Sequence, residues 1–174
     1  MTPVSIIRQD AVNELAETAR QAPPGDLVEV GVYQGGSACA LADVARSQGR
    51  RLFLFDTFTG IPLRDSARDS HKVGDFADTS IDAVRQAIPD AVIAQGVFPL
   101  TLTDDVGPIA LAHVDCDQYE STLACCKLLG ARMVPGGVMV FDDYDVLPGA
   151  KEAVEKIFAG RVEISAQGKA RVRF

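Results

Sequence analysis

Leu27-Val28-Glu29-Val30-Gly31-Val32-Tyr33-Gln34-Gly35-Gly36-Ser37 reads as a short apolar strand, a turn with three glycines and the opening of a helix. The helical pattern continues to about Ser47. Arg51-Leu52-Phe53-Leu54-Phe55 is then a second β-rich run, ending at Asp56. Strand, helix and strand in that order predict a crossover between parallel strands, the unit from which α/β sheets are built.

The same alternation extends in both directions. Upstream, an amphipathic helix is predicted over Ser5 to Gln21, stopped by Pro23-Pro24-Gly25. Downstream, Thr79 or Ser80 caps a helix to about Ala87, and short strands fall at Ala91 to Ala94 and Ile109 to Val114. A helix from about Ser121 to Ala131, a turn at Pro135-Gly136-Gly137 and a strand from Val138 to Phe141 follow. After a helix over Gly149 to Phe158, Arg161 to Ser165 and Ala170 to Phe174 read as a hairpin around Gly168. The expectation is one α/β domain over 1–174: a mostly parallel sheet, an antiparallel last strand, and helices on both faces. Thr57 to Asp78 is the longest irregular stretch. It is polar, and a loop of that length in a compact domain is read as a lid.

Composition narrows the function. The chain has 174 residues, 47% of them hydrophobic, and a formal net charge of −7. No Lys/Arg run suggests a nucleic-acid face, and no apolar run is long enough for a membrane span. Met1 to Asp10 lacks a basic segment followed by an apolar one, so no leader is expected and the cytoplasm is the expected location. Cys39, Cys116, Cys125 and Cys126 form no CxxC pair and are expected to be reduced and buried; a zinc site is not expected.

In an open α/β sheet, ligands bind beyond the carboxyl ends of the strands. The glycines after Val30 permit close approach of backbone to a ligand, and the helix start after Ser37 offers N–H groups to a carboxylate such as that of S-adenosylmethionine. The spacing is not that of the dinucleotide GxGxxG turn. Asp56 is placed to accept hydrogen bonds from ribose hydroxyls, although a carboxylate there also serves as a loop cap. Together the turn and the acid point to an adenosine-containing cofactor.

Acids close two further strands: His113-Val114-Asp115-Cys116-Asp117 and Phe141-Asp142-Asp143-Tyr144. In extended chain, residues two apart face one side, so Asp115 and Asp117 are expected to project together. Four carboxylates in one cleft repel one another, and a hard cation with oxygen ligands relieves that repulsion. Mg²⁺ held by Asp115, Asp142 and Asp143 is the expectation; solvated loop ends and helix caps are the plain alternative.

These motifs, taken in order, resemble those of the macrocin-type (TylF-like) sugar O-methyltransferases. The resemblance spans most of the chain. Beyond the turn and the acids it rests on Asp56-Thr57-Phe58-Thr59-Gly60-Ile61-Pro62, Gly74-Asp75-Phe76-Ala77-Asp78, Gly96-Val97-Phe98-Pro99-Leu100-Thr101-Leu102 and Gly149-Ala150-Lys151-Glu152-Ala153-Val154. It implies a Rossmann-like class I methyltransferase sheet with a reversed last strand. It implies that Glu29, Gly31, Tyr33 and Ser37 line the methionine side of S-adenosylmethionine, that Asp56 takes the ribose, and that Gly96 and Phe98 lie near the adenine. It implies Asp115, which also borders the cofactor, Asp142 and Asp143 as metal ligands, and Asp117 as general base.

The expected activity is metal-assisted methylation of a hydroxyl on a sugar or other small acceptor. A catechol-type O-methyltransferase, a non-catalytic S-adenosylmethionine-binding module and a metal-dependent hydrolase are the competing readings. A small sheet with an open acceptor side is compatible with a homodimer. His71, in the lid, is a candidate base or acceptor contact, although a loop histidine is more often merely solvated. His113 reads as a hydrogen-bonded core residue. Tyr119 and Tyr144 either shape the pocket or pack at helix starts, and Glu120-Ser121-Thr122 suits a helix N-terminus.

Overall fold

The computed structural model describes residues 5–174; residues 1–4, part of the stretch read as lacking a leader, lie outside the described residues. Seven strands form one sheet in the order β3-β2-β1-β4-β5-β7-β6. They are β1 (Asp26–Val30), β2 (Leu52–Asp56), β3 (Val92–Gln95), β4 (Ile109–Val114), β5 (Met133–Phe141), β6 (Glu163–Ile164) and β7 (Ala170–Arg173). The first five pair in parallel, whereas β7 runs antiparallel to both β5 and β6. Strand order reverses between β1 and β4, and the crevice at such a switch point is where α/β sheets bind ligands.

Alternation along the strands builds two cores. Leu27, Leu52, Leu54, Leu111, Val138 and Val140 face α1 (Gln9–Gln21), α2 (Gly36–Gln48) and α3 (Ile81–Ala87), meeting Leu15, Leu41 and Val84. Val28, Phe53, Phe55, Ala112, Met139 and Phe141 face α4 (Tyr119–Leu128) and α5 (Pro148–Phe158), meeting Cys125, Cys126, Val154 and Phe158. Burial on both faces explains the nearly unbroken apolar runs of the parallel strands. Among the described residues no helix is long and apolar enough to cross a membrane.

Four local expectations need correction. Helix α1 begins at Gln9 and not at Ser5: Ser5 Oγ accepts Ile7 N–H at 3.1 Å in a local turn, and Ser5, Ile6 and Ile7 line a cleft. Pro135-Gly136-Gly137 is not a turn before a strand but a bulge within β5. Pairing jumps from Ile109 with Met133 to Leu111 with Val138. The looped-out stretch stays in the sheet because Gly136 N–H donates to Phe174 O at 2.7 Å and Phe174 N–H to Gly137 O at 3.0 Å. Helix α4 runs earlier than predicted, from Tyr119 to Leu128, and a 3₁₀ turn over Gly130–Arg132 takes the place of its expected end. Strand β6 shrinks to Glu163–Ile164, both exposed at the sheet edge. Ser80 does cap α3, accepting from Ala83 N–H at 3.3 Å.

Candidate active site

The cleft opens where β1 to β5 end. Gly31 follows β1 with φ +89°, and a Cβ there would fall 1.8 Å from the carbonyl oxygen of Asp115, so only glycine lets the β1 turn lie against the loop after β4. Gly35 then takes a left-handed conformation and α2 starts with no side chain capping its first turn. The N–H groups of that turn are thus left to a ligand.

Asp56 holds this turn in place. Its Oδ2 accepts from Val32 N–H at 2.6 Å and Tyr33 N–H at 2.9 Å, and its Oδ1 from Phe58 N–H at 2.7 Å. The loop-cap role is therefore present. A carboxylate oxygen has two lone pairs, so capping leaves capacity for a ribose hydroxyl. Gly96 N–H donates to Asp56 O at 2.9 Å, and buried Phe98 stacks edge-on against Phe55 with centroids 5.5 Å apart. Gly31, Tyr33, Ser37, Asp56, Gly96 and Phe98 all line the cleft.

Glu29 is not part of that lining. It points into the sheet face, fully buried, with Oε1 2.7 Å from Nδ1 of buried His113 on the neighbouring strand. Its Oε2 is buried with no hydrogen-bond partner among the described residues. His113 is thus a core residue paired across β1 and β4.

At the other end of the cleft, carboxylate oxygens of Asp115, Asp117 and Asp143 lie within 4.8 Å of one another. The expected convergence of Asp115 and Asp117 is present, but not through an extended strand. Strand β4 stops at Val114, Asp117 adopts φ +60°, and Gln118 N–H closes a tight turn on Cys116 O at 2.6 Å. Burial, and then the charges of Asp143, Asp142 and Asp117, hold the Asp115 carboxyl well above the usual carboxylate range. The same causes, burial first and Asp143 next, push Asp117 up to about 8. Asp143 is raised by burial and by Asp142. Asp142 also lines the cleft, but its carboxylate is paired with Lys169.

The long loop lies over the acid side and is tied down at several points. Buried Asp69 accepts Tyr119 N–H at 2.9 Å through Oδ1, filling the N-terminus of α4, and Asp65 N–H at 2.7 Å through Oδ2. Arg68 reaches Glu152 on α5 at 3.1 Å. Asp78 Oδ2 accepts from the Tyr33 hydroxyl at 2.7 Å. His71 enters the cleft, its Nε2 3.8 Å from Asp117 Oδ1 and its ring edge-on to Phe76. Asp69→Ala is expected to lower stability by about 1–2 kcal/mol, the usual effect of losing a helix cap. It should also speed proteolytic cutting within 57–78. Denaturant titration and limited proteolysis check this, and unchanged cutting would show that Asp69 does not anchor the loop.

Tyr119 and Tyr144 belong to packing. The Tyr119 hydroxyl accepts from Lys156 at 2.9 Å, Tyr144 bonds Glu155, and neither is part of the cleft lining. The four cysteines are free, as expected, but Cys39 and Cys116 are only half-buried and Cys116 faces the cleft between the acids. Asp69 and Lys169 escaped the sequence reading. The only signal for Lys169 is the antiparallel register that sets it beside Asp142.

The sequence profile of the macrocin-O-methyltransferase (TylF) family matches residues 2–167. The chain is 31% identical over 185 residues to the 8-demethyl-8-(2,3-dimethoxy-alpha-L-rhamnosyl)-tetracenomycin-C 4'-O-methyltransferase of Streptomyces olivaceus, covering 94% of this chain and 69% of that protein. It is 29% identical over 151 residues to the demethyldecarbamoylnovobiocin O-methyltransferase of Streptomyces niveus, covering 76% of this chain and 58% of the relative. The crystal structure of the calicheamicin methyltransferase CalS11 superposes with a TM-score of 0.81 at 22% identity, over 94% of this chain and 77% of that one. The shared architecture is the Rossmann-like methyltransferase sheet with its reversed strand.

Proposed function

Because the chain belongs to the macrocin-O-methyltransferase (TylF) family, we propose that it transfers the methyl group of S-adenosylmethionine to a hydroxyl of a sugar or other small natural-product acceptor, aided by a divalent cation such as Mg²⁺. The observation that carries this reading is one continuous cleft. It joins the β1 turn, where the donor would sit, to the acid cluster, where the acceptor would sit, and the two ends touch through Gly31 and the Asp115 carbonyl.

The residues fit both absent groups. At the donor end, the uncapped start of α2 suits a carboxylate, Asp56 a ribose, and Phe98 an aromatic base. At the acid end, three oxygen donors crowd together, with burial and mutual repulsion holding their carboxyls up. That is a donor set for a hard cation. Asp115 and Asp143 of that group would hold it together with Asp142, which lies outside the closest trio and pairs with Lys169 but lines the same cleft, and its positive charge would favour loss of the acceptor hydroxyl proton.

The chain's own groups do the rest. The Asp117 carboxylate accepts the hydroxyl proton; burial and Asp143 hold its carboxyl up in the cation-free protein, and the charge of a bound cation would favour the ionised form that the step needs. The acceptor oxygen forms the new C–O bond as the methyl C–S bond breaks, leaving a neutral thioether. The β1 turn and Asp56 orient the donor. The loop over 57–78, tied to α4 and α5, covers the acid side, and alignment of this kind accounts for up to roughly 7–11 kcal/mol of barrier lowering in favourable cases.

Calorimetric titration with S-adenosylhomocysteine, with and without Mg²⁺, tests the donor site. Transfer of labelled methyl to sugar, polyol and catechol acceptors tests the reaction. The expected result is binding, transfer that EDTA abolishes, and an Asp142→Ala variant that binds S-adenosylhomocysteine but does not turn over. Normal methylation in EDTA would refute the cation's role. Binding with no transfer to any acceptor would leave a cofactor-binding module, and no binding at all would overturn the reading.

A further inference from the structure

We propose that Lys169 is the resident counter-charge of the acid cluster and sets its affinity for a divalent cation. This rests on the reading that the cluster takes such a cation. The position follows from strand direction. Phe141 pairs with Ala170 in the antiparallel β5–β7 ladder, so the next residues, Asp142 and Lys169, meet at the edge where the parallel strands end. Lys169 Nζ pairs with the Asp142 carboxylate and also donates to the Asp142 carbonyl oxygen at 3.3 Å.

Among the described residues, Lys169 is the only lysine or arginine paired with any of Asp115, Asp117, Asp142 and Asp143. Its charge also lowers the carboxyl of Asp143, against the effect of burial. Asp115, Asp117, Asp142 and Asp143 line the cleft, and Lys169 does not. The pair is shielded, with side-chain exposures of 21% and 14%, so screening by water does not erase its effect.

A cation held by Asp115, Asp142 and Asp143 must share Asp142 with an ammonium group or displace it. In either geometry the two positive charges repel. In the cation-free protein the sign is opposite, because Lys169 then offsets part of the repulsion among the acids. Removing its charge should therefore weaken the empty protein and tighten cation binding. A lysine that only supports local structure would weaken both.

The test compares wild type, Lys169→Met, Lys169→Gln and the charge-retaining Lys169→Arg, all as full chains. Mn²⁺ binding is read by electron paramagnetic resonance, and melting in EDTA by calorimetry. Both neutral variants are expected to bind Mn²⁺ about 10-fold more tightly, the scale of one partly screened charge removed. They should also melt lower in EDTA, while Lys169→Arg stays within about threefold of wild type in affinity. Having two neutral variants keeps the test open if one fails to fold. If wild type binds Mn²⁺ and the neutral variants bind equally or more weakly, this proposal fails and the cation reading stands. If no variant binds Mn²⁺, both fail. Binding by the neutral variants alone would show that Lys169 takes the cation's place outright.

Discussion

Asp117→Asn is expected to cut methyl transfer by roughly 10²–10⁴-fold, the usual contribution of a general base, while making the cation-free protein more stable. The stability effect follows from the raised carboxyl of the cation-free protein. In the unfolded chain Asp117 titrates near the ordinary 3.8, whereas the fold pushes it up to about 8, through burial and then Asp143. Between those values the folded state holds more protons than the unfolded one. The stability linked to this carboxyl is therefore complete below the lower value and is lost as pH rises through the upper. Asparagine has no such proton to lose. The melting advantage of the variant in EDTA should open as pH rises from about 4 toward 8 and stop growing above that. By about pH 8 it should exceed roughly 4 °C for a domain of this size. Scanning calorimetry at pH 5 and pH 8 in EDTA is the check. An equal gap at both would show that the carboxyl is not raised, and full activity would show that it is not the base.

Gly31→Ala should be the most damaging single methyl in the protein. The added Cβ would lie 1.8 Å from the carbonyl oxygen of Asp115, which is backbone and cannot rotate away. The expected loss exceeds roughly 4 kcal/mol, the range reached only by severe mechanisms, together with loss of S-adenosylhomocysteine binding. Gly74→Ala is the matched comparison. Gly74 has nearly the same backbone angle, φ +88° against +89°, but its Cβ would meet nothing within 4 Å. The left-handed conformation alone should cost about 1–2 kcal/mol there. Denaturant titration of both variants separates conformational strain from the close contact. Equal losses would mean that the contact does not constrain the fold.

What could be read in the chain depended on how local the determining forces are. Strand β2 and the β1 turn were legible because alternating Leu52-Phe53-Leu54-Phe55 and the glycines after Val30 state their requirements within a few residues. The bulge in β5 was not, because Pro135-Gly136-Gly137 carries the chemistry of a turn and is held in the sheet by Phe174, at the other end of a later strand. Asp69 looked like one more polar loop residue, since its partner is the backbone of Tyr119, 50 residues away. The acids at the ends of β4 and β5 were visible as a group. Their arrangement was not, because Asp117 leaves the extended conformation and Asp142 turns toward a lysine supplied by a reversed strand. Glu29 was expected at the cofactor because of its place in the turn motif; its side chain instead follows the strand's alternation into the core, where His113 meets it.

The contact of Gly31 with Asp115 also limits how such a site can be redesigned. A graft that reshapes the loop after β4 for a new acceptor moves the carbonyl against which the donor turn is seated, so donor and acceptor recognition cannot be exchanged there as separate modules. The freer material is elsewhere on the rim. The outer part of the 57–78 loop borders the same cleft without touching that seam, whereas Ser5 packs on Gly36 at the start of α2, so the loop is the segment in which to vary substrate range.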